Sequence, residues 1–192
     1  GAHSDSWAKR YLDVPYAKEI ADMDGSALEA GYKEGIYVGY RYYDTFGVKP
    51  RYPFGYGRSY TTFELAYKDA RMEGNEGRVE VEVTNTGAVA GKKIVQIYAY
   101  CPQGEMKKEA KRLIGFGKTS LLAPGAKESV AVTFDAHALA SYDEEKAAYV
   151  LESGDYVLAY GHDAVDVTPC VVVKLDETIC LEQCEHICPP ER

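Results

Sequence analysis

The richest acidic run in the chain is Asp143-Glu144-Glu145, followed by Lys146. Paired carboxyl groups can act as general acid and base, but adjacent charges between two hydrophobic stretches are also typical of a solvated hairpin loop. We interpret this run as an exposed turn. Another carboxylate, Asp44, stands at the end of an aromatic run. We expect it to form an ion pair with Arg41 that has a structural rather than a catalytic role.

Aromatic side chains crowd the stretch between residues 37 and 60. Their ring faces can stack on sugar rings, or they can bury against a neighbouring protein surface. The prolines and glycines between them favour a fixed surface between domains. We therefore treat them as substrate-contact or domain-contact candidates, with the domain contact preferred: Tyr37, Tyr40, Tyr42, Tyr43, Tyr52, Phe54, Tyr56 and Tyr60.

Cys180, Cys184, His186 and Cys188 are the strongest metal-ligand candidates. On a helix the three thiols would share a face, but their spacing matches no common zinc pattern, and prolines follow at once. The sequence therefore predicts no metal and no cofactor, and leaves open whether Cys180, Cys184 and Cys188 are free, oxidised or metal-bound. Five cysteines, an odd number, do not indicate a secreted disulfide framework. We therefore expect mostly free thiols, in a reducing compartment such as the cytoplasm or in an anaerobic organism.

Composition limits which elements can position these residues. The chain has 192 residues and a net charge of −8, which argues against a nucleic-acid partner. We find no apolar run long enough to span a membrane, and no signal pattern. The 17 tyrosines and 18 glycines favour strands joined by turns, and a hydrophobic content of 46% can supply a core.

Period-two alternation of apolar and polar residues is clearest at 78–84, where three valines would share a buried face. Turn signals separate about seven such stretches, which predicts an antiparallel β-sandwich of roughly 110 residues. Upstream we predict a short helix at 26–32, a strand at 35–44 and an ordered loop at 52–60. The other predicted strands lie near 93–100, 113–119, 128–134, 149–151, 156–161 and 170–175.

Two motifs, at residues 34–44 and 53–63, resemble the C-terminal region of glycoside hydrolase family 3 enzymes. The second matches the pattern PFGxGLSYTTF, with Arg58 at the usual leucine. Residues 83–98 and 113–125 resemble that family's fibronectin type III-like domain, an immunoglobulin-like sandwich. The resemblance implies an all-β fold with an irregular N-terminal arm: residues 1–62 end an α/β sandwich domain, 63–178 form the fibronectin type III-like domain, and 179–192 form a tail or linker.

The resemblance also implies a function. Family 3 enzymes use an aspartate nucleophile on a (β/α)₈ barrel and an acid/base glutamate in the α/β domain, and no residue here matches either. We therefore predict no catalytic residue. We expect an inactive scaffold module of a retaining β-glucosidase, which hydrolyses terminal non-reducing β-D-glucosyl residues of a β-glucoside or oligosaccharide. Its partners would be the barrel and α/β domains, contacted through Tyr37, Tyr40, Arg41, Tyr43, Asp44, Phe54 and Tyr56.

A second hypothesis is a stand-alone β-sandwich module that binds carbohydrate or another protein without the enzyme. Exposed, coplanar aromatic rings on one face of the sandwich would favour it. Aromatic residues concentrated in the arm would favour the scaffold.

Overall fold

The structure is a computed structural model that describes residues 35–187. The predicted helix at 26–32 and Cys188 lie outside the described residues. One α-helix, one 3₁₀ helix and ten strands follow in chain order: α1 Tyr40–Thr45, β1 Phe63–Glu73, β2 Glu76–Asn85, β3 Ile94–Tyr100, β4 Arg112–Lys118, β5 Lys127–Asp135, the 3₁₀ helix Ala136–Ala138, β6 Ser141–Asp143, β7 Ala148–Leu151, β8 Gly154–Gly161, β9 Val167–Leu175 and β10 Ile179–Gln183.

Two antiparallel sheets form the sandwich, with strand orders β1-β2-β5 and β4-β3-β8-β9. Their inward side chains make one core, to which β2, β3, β5 and β8 contribute most. On β2, Val79, Val81 and Val83 are fully buried, while the intervening Glu80 and Glu82 are only half-buried. The predicted all-β sandwich is confirmed, and period-two alternation is its physical basis because neighbouring side chains on a strand point to opposite faces.

A third, small sheet has the strand order β10-β7-β6. In it, Ile179 pairs with Leu151, and Gln183 pairs with Ala148. The sequence predicted a tail or linker from residue 179 onward, but residues 179–183 form a strand. The run is short and mostly exposed, so it lacks the buried alternation that reveals a strand.

The predicted strand at 35–44 is wrong, because α1 occupies Tyr40–Thr45. Gly39, with φ 60° and ψ −131°, turns the chain out of an extended path immediately before the helix. Aromatic residues favour strands only when a neighbouring strand is there to pair with. Here Tyr40 and Asp44, four residues apart on the helix, instead share one face.

Candidate domain-contact surface

The aromatic segment, residues 36–60, contains all seven contact residues predicted from the sequence. It consists of α1 and two bends rich in glycine and proline. One side of this segment is fixed to the sandwich, and the other side is exposed.

Helix α1 is fixed to the sandwich by two backbone amides that precede or begin β4. The Leu113 amide donates to the Tyr40 hydroxyl oxygen at 2.8 Å, and the Ala110 amide donates to Thr45 Oγ1 at 2.9 Å. The Tyr40 ring meets the buried Tyr98 ring edge to face, with centroids 6.0 Å apart. The helix is too short to be stable alone, so these contacts determine its position.

Arg41 and Asp44 each have a separate ionic partner, in place of the expected Arg41–Asp44 pair. Lys111 Nζ lies 2.7 Å from Asp44 Oδ2, and Arg41 Nε lies 3.5 Å from Glu109 Oε1. Glu109 also accepts a hydrogen bond from Arg112 Nη2 at 3.0 Å. Residues three apart on one helix can pair, but Arg41 and Asp44 both reach instead toward charged residues of the loop before β4.

That loop, residues 102–112, is organised from the inside by Glu152. The Glu152 carboxylate accepts hydrogen bonds from the Lys108 ammonium and from the amides of Glu105, at 2.7 Å, and Met106, at 3.4 Å. Burial raises the pKa of Glu152, but the Lys108 ammonium and the two amides outweigh it, so the pKa lies below its ordinary value. The loop is therefore held by contacts with Glu152 that do not involve α1.

The second bend of the segment, around residues 51–55, contacts β3 at Gly55, which has φ +85°. A Cβ there would lie 2.1 Å from Gln96 Nε2, so only glycine allows this approach. The buried Tyr98 hydroxyl donates to Gln96 Oε1 at 2.5 Å, which fixes the amide beneath the bend. Beside it, the Ala164 amide donates to the Phe54 carbonyl at 2.8 Å.

Asn85 joins the end of the segment to the sandwich. Its side chain is fully buried, accepts from Thr61 Oγ1 at 2.7 Å and from the Gly87 amide at 3.1 Å, and donates to the carbonyls of Val89 and Leu122. A Cβ on Gly87 would lie 2.2 Å from Thr61 Oγ1. The sequence identified residues 85–87 only as a turn, whereas Asn85 connects three separate loops.

The seven predicted residues divide by direction. Tyr40, Arg41 and Asp44 contact the sandwich, as described above. Tyr37 packs edge to face on Phe46, with ring centroids 5.2 Å apart. The remaining three, Tyr43, Phe54 and Tyr56, are exposed at 40%, 49% and 47%.

The outward side of the segment carries ten large apolar or aromatic side chains with substantial exposure. Several of these rings pack on one another, as in the Tyr42–Phe46 and Tyr52–Tyr56 pairs, with centroids 4.9 and 5.0 Å apart. An exposed apolar patch of this kind marks an interaction surface. Its members are Ile36, Val38, Tyr42, Tyr43, Phe46, Val48, Tyr52, Phe54, Tyr56 and Tyr60.

Sequence reasoning missed the charged residues that hold the segment, namely Lys108, Glu109, Lys111 and Glu152. The run Lys107-Lys108-Glu109-Ala110-Lys111 has the composition of a solvated loop, yet its central charges are almost fully buried. The only local signal is the alternation of sign, which permits pairing but does not identify the partners.

The other candidate sites do not assemble. The acidic run Asp143-Glu144-Glu145 lies on the turn between β6 and β7, with Asp143 paired to Lys146. Within residues 35–187 no three ligand-type side chains converge in a way that could hold a metal ion. Cys101, Cys170, Cys180 and Cys184 are free thiols. No helix in the described part of the chain is long and apolar enough to cross a bilayer.

Comparison with known families assigns residues 93–164 to the family described as fibronectin type III-like domain. A β-glucosidase of Ruminococcus albus is 35% identical over 99% of this chain, which covers 20% of that protein. Beta-glucosidase A of Butyrivibrio fibrisolvens is 38% identical over 95% of the chain and is covered to 24%. The chain thus spans about a fifth of the length of these relatives.

Solved structures give the same result. A β-glucosidase from Paenibacillus barengoltzii superimposes with a TM-score of 0.77 at 39% identity, over 80% of this chain and 18% of that one. β-Glucosidase 3B from Thermotoga neapolitana superimposes with a TM-score of 0.72 at 40% identity, over 77% and 20%. The chain therefore corresponds to the fibronectin type III-like region of β-glucosidases of glycoside hydrolase family 3.

Proposed function

We propose that this chain is a non-catalytic scaffold module of a retaining β-glucosidase, and that its aromatic segment docks on the catalytic part of that enzyme. The relatives are named β-glucosidases, and about four fifths of their length lies outside the region that matches this chain. In this proposal the nucleophilic aspartate and the acid/base glutamate lie in that remainder. The substrate is a β-glucoside or an oligosaccharide with a terminal non-reducing β-D-glucosyl residue.

The two-sided character of the aromatic segment carries the proposal. Its inward side is fixed by the Tyr40, Thr45 and Asp44 contacts, while apolar rings are exposed on its outward side. A segment that only capped the sandwich would bury its rings. Here most of the rings are exposed instead, which suits a surface that is built in advance for a second domain.

The catalytic part of the same enzyme is the occupant to which the proposal commits. Interfaces between domains of one chain are typically 600–1,500 Å² and mix polar with apolar contacts. Ten exposed apolar side chains from one continuous segment supply the apolar share of such an interface. Tyr43, Phe54 and Tyr56 are the contact residues on this side, and Tyr40, Arg41 and Asp44 position them.

An assay of the purified 192-residue chain on an aryl β-D-glucoside tests the non-catalytic part of the proposal. We expect no turnover above a buffer blank, under conditions in which the Ruminococcus albus relative is active. Turnover that co-purifies with the folded chain would contradict the scaffold role.

We also propose that the parent enzyme works in a reducing compartment, the cytoplasm. Cys101, Cys170, Cys180 and Cys184 are unpaired and Cys180 is exposed, which suits a compartment that keeps thiols reduced. Fractionation of the source cells with an antibody against this chain tests the compartment, and recovery from the culture medium would contradict it.

A further inference from the structure

The outer face of the small sheet carries a row of aromatic and acidic side chains that the docking proposal does not use. Tyr142 on β6 pairs across the strands with Tyr149 on β7, and Tyr149 pairs with Glu182 on β10. The Tyr142 and Tyr149 rings have centroids 5.2 Å apart at an interplanar angle of 62°. Cross-strand register therefore places these three side chains in a line.

Residues 184–187, which come directly after β10, lie along the turn between β6 and β7 and form a wall beside this row. The Cys184 amide donates to the Ala147 carbonyl at 2.7 Å, and His186 Nε2 lies 3.2 Å from the Glu145 carbonyl oxygen. Ala147 is the one non-glycine residue of the described range with a positive φ, at 49°. Such strained residues persist only where the surroundings hold them.

The tyrosine row and residues 184–187 line an open cleft of about 540 Å³. This volume lies within the usual range for small-molecule sites. Its lining combines aromatic rings, carboxylates and an imidazole: Tyr142, Glu144, Tyr149, Cys184, Glu185, His186 and Ile187. Burial, together with the neighbouring Cys184, Tyr149 and Glu144, raises the pKa of Tyr142.

We propose that this cleft binds a pyranose-containing saccharide. The apolar face of the sugar stacks on the Tyr142 ring, and its hydroxyls donate to the Glu144 and Glu185 carboxylates. A pyranose offers both an apolar face and a ring of hydroxyls, and the cleft offers a partner for each. The inference is independent of the docking proposal, because it involves none of the residues of the aromatic segment.

The ring geometry favours a sugar over an organic cation, which acidic aromatic sites can also bind. A cation site of the cage type needs several ring faces directed at one centre. Tyr149 is already contacted by Tyr142 and by the His137 ring, whose centroid lies 5.2 Å away at an angle of 66°. Tyr142, 43% exposed, is left as the ring available for stacking.

The test is a titration of the isotope-labelled 192-residue chain with cellobiose, followed by NMR. We expect saturable shifts confined to residues 141–149 and 184–187, at millimolar sugar. Tyr142→Ala should weaken binding roughly tenfold, the equivalent of about 1.4 kcal/mol. The matched control is Tyr67→Ala, which removes a tyrosine that is 39% exposed on β1, outside the cleft, and should leave the affinity unchanged.

Glu144→Gln is a second variant, on an exposed turn. It keeps the test valid if Tyr142→Ala fails to fold. It should weaken binding while the dispersion of the spectrum is unchanged. The proposal is overturned if cellobiose gives no saturable shift, or if neither variant weakens binding. It is also overturned if tetramethylammonium saturates the cleft and cellobiose does not.

Discussion

The sandwich core and the aromatic segment are stabilised by opposite arrangements of apolar and charged residues. In the core, the β2 valines are buried and the charges between them reach water. In the segment, Tyr40, Asp44 and Thr45 contact the sandwich largely through polar atoms, and most of the other aromatic rings are exposed. The core is therefore complete within this chain, whereas the segment is held by directional contacts and keeps its apolar area available for a partner.

The largest effect should come from the core. Ile97→Ala truncates a fully buried side chain on β3 and should reduce the free energy of unfolding by about 2–5 kcal/mol, through lost burial and the remaining cavity. Urea denaturation of the 192-residue chain measures it. A loss below about 1 kcal/mol would contradict the view that the core, and not the segment, supplies most of the stability.

The junction between the two regions should come next. Asn85→Ala leaves the Val89 and Leu122 carbonyls and the Thr61 hydroxyl without their present partner. Each buried unpaired group costs about 1–3 kcal/mol, so we expect a total loss of a few kcal/mol. Thr86→Ala is the matched control, because the Thr86 hydroxyl bonds only to exposed Thr62 Oγ1 among the described side-chain contacts, and urea denaturation should show almost no change.

The ion pair below α1 should give a smaller and non-additive effect. Lys111→Met leaves Asp44 with its carboxylate mostly buried, which costs up to about 3 kcal/mol. The double variant Asp44→Leu/Lys111→Met should be less destabilised than the sum of the two single variants. Strict additivity in a double-mutant cycle would show that the pair does not hold the helix.

Acid should loosen the loop that supports α1. Because the folded-state pKa of Glu152 is below its ordinary value, its carboxylate stabilises the fold above about pH 4.3, and this contribution is lost as the pH falls through the lower, folded-state pKa. We expect Glu152→Gln to flatten this part of the pH dependence of unfolding. The measurement is the free energy of unfolding by urea between pH 6 and pH 2. If its pH dependence is unchanged by the substitution, Glu152 does not stabilise the fold through its charge.

The smallest effect on stability should come from the outward rings. Tyr52→Ala removes a ring that is 58% exposed and packed mainly on Tyr56. Surface substitutions of this kind usually change the free energy of unfolding by less than about 0.5 kcal/mol. A loss of several kcal/mol in thermal or urea unfolding would show that the outward side is part of the core.

The same contrast explains what could be predicted from the sequence. The alternation of apolar and polar residues revealed β2 and β5, because a strand with one buried face places an apolar residue at every second position of its own sequence. The charges of loop 102–112 could not be assigned, since the partner that orders Lys108 is Glu152, more than forty residues later. The strand predicted at 35–44 failed for a related reason: no neighbouring strand pairs with it, and α1 depends on contacts with the loop before β4.

The most direct test of the docking surface measures one double variant, Tyr43→Ala/Tyr56→Ala, in two settings. The first is the 192-residue chain alone, and the second is a chimera in which this chain replaces the matching region of the Ruminococcus albus β-glucosidase. Tyr67→Ala, which removes a tyrosine of similar exposure, 39%, on β1, is the control. We predict that the double variant leaves the unfolding of the isolated chain almost unchanged but lowers the activity or thermal stability of the chimera, which the control does not. Equal behaviour of the double variant and the control in the chimera would contradict the claim that the outward side of the segment contacts the catalytic part.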